Sequence, residues 1–243
     1  MRTYVELPDG TYAYGPLEKE YSVRKYCENQ LGKSTIKDTL KNICASVLHY
    51  GAAAQVHFSY NTEDPANANI LETYPAAEWN AELLDALDSY TSQLPVSASV
   101  TNYGKALSLD GLIFVNYYFK FAESTDNVAK AEMLVWRGVE GELTEENTTE
   151  EPKELKFTEV YDGKREFAAC TDGIPAKEYG DTVYACAKFT DAEGNVTYSK
   201  VTAYSVETYA KNTIGNAGRA ESLKELCRRM VVYGEAAKTH FGG

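Results

Sequence analysis

Residues 22–58 and 205–241 are one motif written twice, aligning without a gap over 37 residues at a constant offset of 183. The identities include Ser22/Ser205, Val23/Val206, Tyr26/Tyr209, Asn29/Asn212, Gly32/Gly215, Leu40/Leu223, Cys44/Cys227, Tyr50/Tyr233, Gly51/Gly234, Ala53/Ala236, Ala54/Ala237, His57/His240 and Phe58/Phe241. A duplication of this length requires both copies to build the same local structure, and it marks the chain as modular. Ser22 and Ser205 sit where a helix N-cap is wanted, and Gly32 and Gly215 where a left-handed C-terminal residue is wanted. A longer helix follows each. Ile36, Leu40, Ile43, Cys44, Val47, Gly51, Ala54 and Phe58, matched by Leu223, Leu226, Cys227, Met230, Gly234, Ala237 and Phe241, recur at spacings of three and four. Each copy is therefore expected to be a helical hairpin with one buried stripe. That stripe is slim at the glycine and alanines, where another backbone can come close.

Between the copies the period changes. Residues 59–96 begin with the polar turn Asn61-Thr62-Glu63-Asp64-Pro65 and continue with Trp79, Leu83, Leu84, Leu87 and Tyr90 at helical spacing, which predicts a helical linker. Residues 97–204 alternate with period two. Ile113, Val115, Tyr117, Phe119 and Phe121 line one strand face, and Leu134/Trp136, Phe157/Glu159/Tyr161, Phe167/Ala169, Val183/Ala185/Ala187/Phe189 and Thr197/Ser199/Val201 imply further strands. Asp110-Gly111, Asp162-Gly163, Asp172-Gly173 and Glu193-Gly194-Asn195 separate them as turns. The expected class is α+β: an Ig-like antiparallel β-sandwich of about seven strands flanked by two homologous helical hairpins, 22–58 and 205–243. Residues 1–21 read as the end of an upstream module, because Asp9 to Tyr14 leading to Tyr21-Ser22-Val23 parallels Glu193 to Tyr198 leading to Tyr204-Ser205-Val206. The chain is thus expected to be a fragment of a longer multimodular protein.

Charge narrows the partners. The chain has 24 basic and 36 acidic residues, a net charge of −12, which repels phosphate backbones and anionic lipid surfaces and argues against nucleic acid. Residues 1–21 carry −2 and the copies are basic, +3 over 22–58 and +2 over 205–241, so that residues 59–204 carry −15. Their densest stretch, Glu140 to Glu154, holds seven Glu and one Lys and is expected to be a solvated acidic loop. No apolar run is long enough to insert into a membrane, and residues 1–6 lack the apolar stretch of an export signal.

Catalytic and metal chemistry lack their patterns. Cys27, Cys44, Cys170, Cys186 and Cys227 form no C-x-x-C pair and are expected to be thiols, buried at Cys44 and Cys227. His49, His57 and His240 have no zinc spacing, and His57 and His240 have no nearby acid or nucleophile that would orient or use an imidazole. No D-x-D-x-D-G calcium loop, P-loop, G-x-S-x-G or H-E-x-x-H occurs. The sequence therefore predicts a protein that is not an enzyme, with no metal and no cofactor.

The segments YSVRKYCENQL and VLHYGAAAQVHFSYNTEDPAN, repeated as YSVETYAKNTI and MVVYGEAAKTHF, together with KALSLDGLIFVNYYFKF, resemble a repeat module of large secreted or surface proteins from anaerobic, clostridial-type gut bacteria. The resemblance implies an extracellular or cell-surface accessory module with no catalytic residues to carry over. Two binding functions follow as expectations. The first is attachment to a host or bacterial surface protein, such as mucin or immunoglobulin, or spacing between neighbouring modules of the same polypeptide. The alternative is a carbohydrate-binding module of a secreted glycan-degrading system, with Trp136, Tyr117, Tyr118 and Trp79 as the aromatic stacking candidates.

Overall fold

The computed structural model describes residues 4–15, 22–62, 72–75, 77–78, 90–109, 112–122, 128–161 and 164–242. The fold is mixed α+β, with antiparallel sheets and four helices among the described residues, and it divides into two compact units, Met1–Ala77 and Glu78–Gly243. No helix of the described residues is long and apolar enough to cross a membrane.

The first unit holds strands β1 (Tyr4–Glu6) and β2 (Tyr12–Tyr14) and helices α1 (Val23–Leu31) and α2 (Asp38–His57). Ser22 caps α1 as its position predicts, its side chain accepting from Lys25 N–H at 3.1 Å. Gly32, by contrast, has φ −70° and is not left-handed, since the helix ends by tightening onto the carbonyls of Glu28 and Gln30. Cys27, Leu31, Cys44 and Leu48 pack together beneath Tyr74. The hydroxyl of Tyr74 donates to Leu31 O at 2.8 Å, and its own carbonyl accepts from His49 Nε2 at 2.8 Å.

The second unit holds β3 (Tyr90–Ser92), β4 (Val100–Ser108), β5 (Phe114–Phe121), β6 (Val128–Arg137), β7 (Gly141–Leu143), β8 (Lys153–Glu154), β9 (Lys156–Tyr161), β10 (Lys164–Cys170), β11 (Val183–Asp191), β12 (Val196–Tyr198) and β13 (Thr202–Tyr204). After them come α3 (Val206–Gly215) and α4 (Glu221–Phe241). One antiparallel sheet runs β4-β5-β10-β9, and a second runs β12-β11-β6-β8, with β13 also pairing β11. Strand β5 shows the predicted alternation, with Val115, Tyr117, Phe119 and Phe121 buried on one face. Those side chains reach the second sheet. Phe121 stacks on Phe189 with centroids 4.8 Å apart, Phe167 meets Phe189 edge-on at 5.0 Å, and Tyr117 Oη donates to Val183 O at 2.9 Å. The opposite face of β6 and β11 is also covered. Leu134, Trp136, Tyr184 and Cys186 lie under Leu143, Tyr198 and Val201, which explains the unbroken buried run from Val183 to Ala187 where the sequence alone shows only alternation.

Part of this cover comes from segments expected to be something else. Tyr90, read as the end of a helical linker, belongs to β3, which pairs in parallel with β7. Its ring packs 5.0 Å from that of Tyr184 and its hydroxyl donates to Val201 O at 2.8 Å, so tertiary contacts override the helical spacing. Trp79, Leu83, Leu84 and Leu87, together with the Asp110-Gly111 and Asp162-Gly163 turns, lie outside the described residues. The acidic stretch is no simple solvated loop. It contributes β7 and β8, buries Leu143, and consumes Glu145 in bonds to Lys188 and Tyr198, and Glu150 in ion pairs with Arg137 and Lys153. Burial works against the charge of Glu145, but the Lys188 ammonium and Tyr198 hydroxyl outweigh it and hold its pKa below the ordinary carboxylate value.

Helix α4 packs on α3 and on a 3-10 turn, Ala176–Glu178. Arg137 anchors that turn through Glu178 at 3.1 Å. Tyr179 O accepts from Glu207 N–H at 3.2 Å, and the Tyr179 ring lies edge-on to Tyr233 at 6.4 Å. Ser205 caps α3, accepting from Thr208 N–H at 3.0 Å. The final aromatics of both stripes, Phe58 and Phe241, are exposed rather than buried, each lying at the C-terminal end of its helix. Each ring instead meets the preceding histidine edge-on, at 4.9 Å for His57 and 4.7 Å for His240.

The duplication extends to the strands. β1 pairs β2 as Tyr4↔Tyr14, Val5↔Ala13 and Glu6↔Tyr12, while β11 pairs β12 as Lys188↔Tyr198, Phe189↔Thr197 and Thr190↔Val196, the same register at an offset of 184. The turns agree in their backbone bonds. Leu7 N–H donates to Thr11 O at 2.8 Å and Gly10 N–H to Leu7 O at 2.9 Å; Asp191 N–H donates to Asn195 O at 3.0 Å and Gly194 N–H to Asp191 O at 3.1 Å. Gly10 and Gly194 take φ values of +79° and +86°, which a side chain would strain.

Candidate functional site

Of the four stacking candidates, Trp136 and Tyr117 are enclosed and present no ring face to a ligand. Both occupy inward positions of paired strands. Trp136 further donates its indole N–H to Thr144 O at 2.8 Å and Asn147 Oδ1 at 2.9 Å, as a buried indole requires. Trp79 lies outside the described residues. Tyr118 is the one placed with access: it is half-buried on the outer face of β5, 6.0 Å from the exposed ring of Tyr103. Gly104, opposite Tyr118 in the ladder, leaves room for that ring, which already lies 3.4 Å from where a Cβ would stand.

A charged cluster flanks this pair. Glu166 receives Tyr103 Oη at 2.6 Å and Lys120 Nζ at 2.8 Å, and the Lys120 ammonium lies 4.4 Å from the centre of the Tyr103 ring. The bonds from Lys120 and Tyr103 hold the Glu166 carboxyl below its ordinary value. Because Glu166 titrates lower folded than unfolded, the stability it adds is present above its ordinary pKa of 4.5 and is lost as pH falls below that value. Glu166→Gln is therefore expected to flatten the acid limb of the stability–pH curve, measured as urea midpoints between pH 7 and pH 3. An unchanged slope would show that this cluster is not coupled to folding.

Two concavities of the second unit are lined by described residues. The larger, about 750 Å³, is bordered by Val128, Lys130, Glu132, Leu155, Phe157 and Phe167 along the ends of β6, β9 and β10. The smaller, about 320 Å³, lies between β4 and α3 and carries the more distinctive chemistry, from Lys105, Tyr204, Tyr209, Asn212, Thr213 and Arg219. Lys105 Nζ donates to Thr202 Oγ1 at 2.9 Å and Ala203 O at 3.2 Å and lies 5.4 Å from the centre of the Tyr204 ring. Neither Lys105 nor Arg219 forms an ion pair among the described residues, unusual in a chain with so many carboxylates. Burial lowers the Lys105 pKa and raises those of Tyr204 and Tyr209, so the phenols stay neutral. Two cations, two phenols and an amide in one recess suit a polyhydroxylated ligand bearing an anionic group.

This pocket has almost no signature in the sequence. Its only visible trace is the pair Tyr209 and Asn212, three apart on one helix face and repeated as Tyr26 and Asn29. Lys105 and Arg219 come from distant segments and have no local signature.

The five cysteines are free, with Cys44 and Cys227 buried at matching stripe positions as expected. Desolvation pushes the Cys27 thiol up to about 12, with Cys44 beside it adding to the effect, and it pushes Cys186 and Cys227 up to about 11. Thiols held that high are protonated and poor nucleophiles at neutral pH. Among the described residues no group of three or more His, Cys, Asp and Glu is placed to hold a metal ion. No family model matches the chain, and no curated protein matches it either.

Proposed function

We propose that this chain is a non-catalytic module of a secreted or cell-surface protein, built as an Ig-like sandwich flanked by two helical hairpins. It attaches to a host or bacterial surface protein, such as mucin or immunoglobulin, and spaces neighbouring modules of the same polypeptide. The observation that carries this reading is the duplication, which extends from helix caps to hairpin register. A unit repeated along one chain gains avidity from weak contacts by raising effective concentration. Glu140, Glu142, Glu146, Glu151 and Glu154 stay exposed once Glu145 and Glu150 are paired internally, which supports an acidic face for a basic partner. Binding of the immobilised chain to mucin and to immunoglobulin, read between 50 and 500 mM salt, tests this. Replacing those five Glu with Gln should weaken binding about tenfold at low salt and remove most of its salt dependence. Binding to neither, or binding indifferent to the five changes, contradicts the acidic-face reading.

Glycan binding is the second reading, favoured by the Lys105–Arg219 pocket and the Tyr103–Tyr118 pair rather than by Trp136. Retention on acidic oligosaccharides that is lost in Lys105→Ala or Tyr118→Ala, with mucin protein and immunoglobulin unbound, would promote it.

A further inference from the structure

The two copies share a motif but not an environment. In the second copy Val206 is 1% exposed, Gly234 is buried, and a Cβ on Gly234 would stand 2.9 Å from the Tyr179 ring and 3.2 Å from Ala176 O. Their counterparts are open: Val23 is 66% exposed, and a Cβ on Gly51 would meet nothing within 4 Å. The strands differ in the same sense. Phe189 of β11 is 2% exposed, packed against Phe121 and Phe167 of the facing sheet in a strand paired on both sides, whereas its counterpart Val5 and the neighbouring Tyr4 are each 64% exposed, and β1 pairs only with β2 among the described residues. The Arg24 amide, equivalent to the Glu207 amide that donates to Tyr179 O, has no acceptor among the described residues.

We infer that β1, the first turn of α1 and the Gly51 face of α2 form one docking surface, and that its occupant is a β unit of this chain's own kind. Such a unit presents a strand like Lys130–Glu132 to the open edge of β1 and a 3-10 turn like Ala176–Glu178, followed by tyrosine, to Gly51 and the Arg24 amide. The second copy shows each of these contacts already made: Lys188↔Glu132, Phe189↔Ala131 and Thr190↔Lys130 across the strands, and Tyr179 against Gly234 and Glu207. Charge agrees, since residues 22–58 carry +3 and the β-rich stretch 59–204 carries −15. At the position where Glu207 approaches Gly180, the first copy presents Arg24, so its own partner carries an acidic group there. This inference deepens the modular half of the proposed function and is independent of attachment to any host protein.

The test is a fusion in which a second copy of residues 78–187 is joined directly ahead of Tyr4 of the full chain, placing its final strand in line with β1. Hydrogen exchange of the β1 amides and of Val23 and Arg24 should slow at least about tenfold relative to the chain alone, approaching that of Val206 and Glu207. Gly51→Leu should raise the unfolding midpoint of the chain alone, as helix preference for leucine over glycine requires, and lower that of the fusion. A second fusion carries Arg24→Glu and His49→Val, which give the first copy the second copy's residues. Slowed exchange in either fusion supports the surface. If the added segment is itself protected while residues 4–24 exchange as before in both, or if it stays unprotected in both, the inference is overturned. Neither result bears on mucin or immunoglobulin binding.

Discussion

Trp136→Ala lowers the stability of the second unit by about 3–5 kcal/mol, the cost of emptying a large aromatic site in a packed core. The ring is fully enclosed in a cluster with Leu134, Leu143, Tyr184, Tyr198 and Val201. Its loss also strands two acceptors, Thr144 O and Asn147 Oδ1, of which the latter retains the Thr144 amide. Trp136→Phe should recover most of the packing but not the indole bond, at an intermediate cost. Urea unfolding followed by the intrinsic signal of the remaining aromatics reads both. A Trp136→Ala protein that loses ligand binding while keeping its midpoint would restore that side chain to the binding face.

The second large effect is a change of sign between equivalent glycines. Gly234→Ala is expected to cost about 1–3 kcal/mol, because the added methyl must displace the Tyr179 ring and the Ala176 carbonyl. Gly51→Ala, in open space inside α2, is expected to stabilise by about 0.5–1 kcal/mol, the ordinary helical preference for alanine. Hydrogen exchange of the α2 and α4 amides reads each unit separately. Equal effects at both sites would mean that the two faces are covered alike.

The repeat made much of this legible. Ungapped identity placed both helix pairs, both serine caps and the slim glycine positions, and period-two alternation placed β5, β6 and β11. The misses have a common cause: contacts between segments distant in the chain. Tyr90 keeps helical spacing with its neighbours, yet its ring is claimed by Tyr184, 94 residues away. Trp136 carries an alternating signature that marks a strand but not which face of that strand is covered, and here both faces of the sheet are. Glutamates at 145 and 150 look solvated until Lys188 and Arg137 arrive from other strands. Gly32 shows the limit of position-based capping, since a helix can also end by tightening its last turn. The Lys105–Arg219 pocket was invisible for a related reason: its cations are 114 residues apart and neither lies in a motif.

The central claim is binding without turnover, and calorimetry of the chain titrated with mucin, with immunoglobulin as a second titrant, separates the two in one trace. A binding module gives injection heats that return to baseline and saturate. Sustained heat flow after each injection, abolished by replacing His57, His240 or a single acidic residue, would contradict the account.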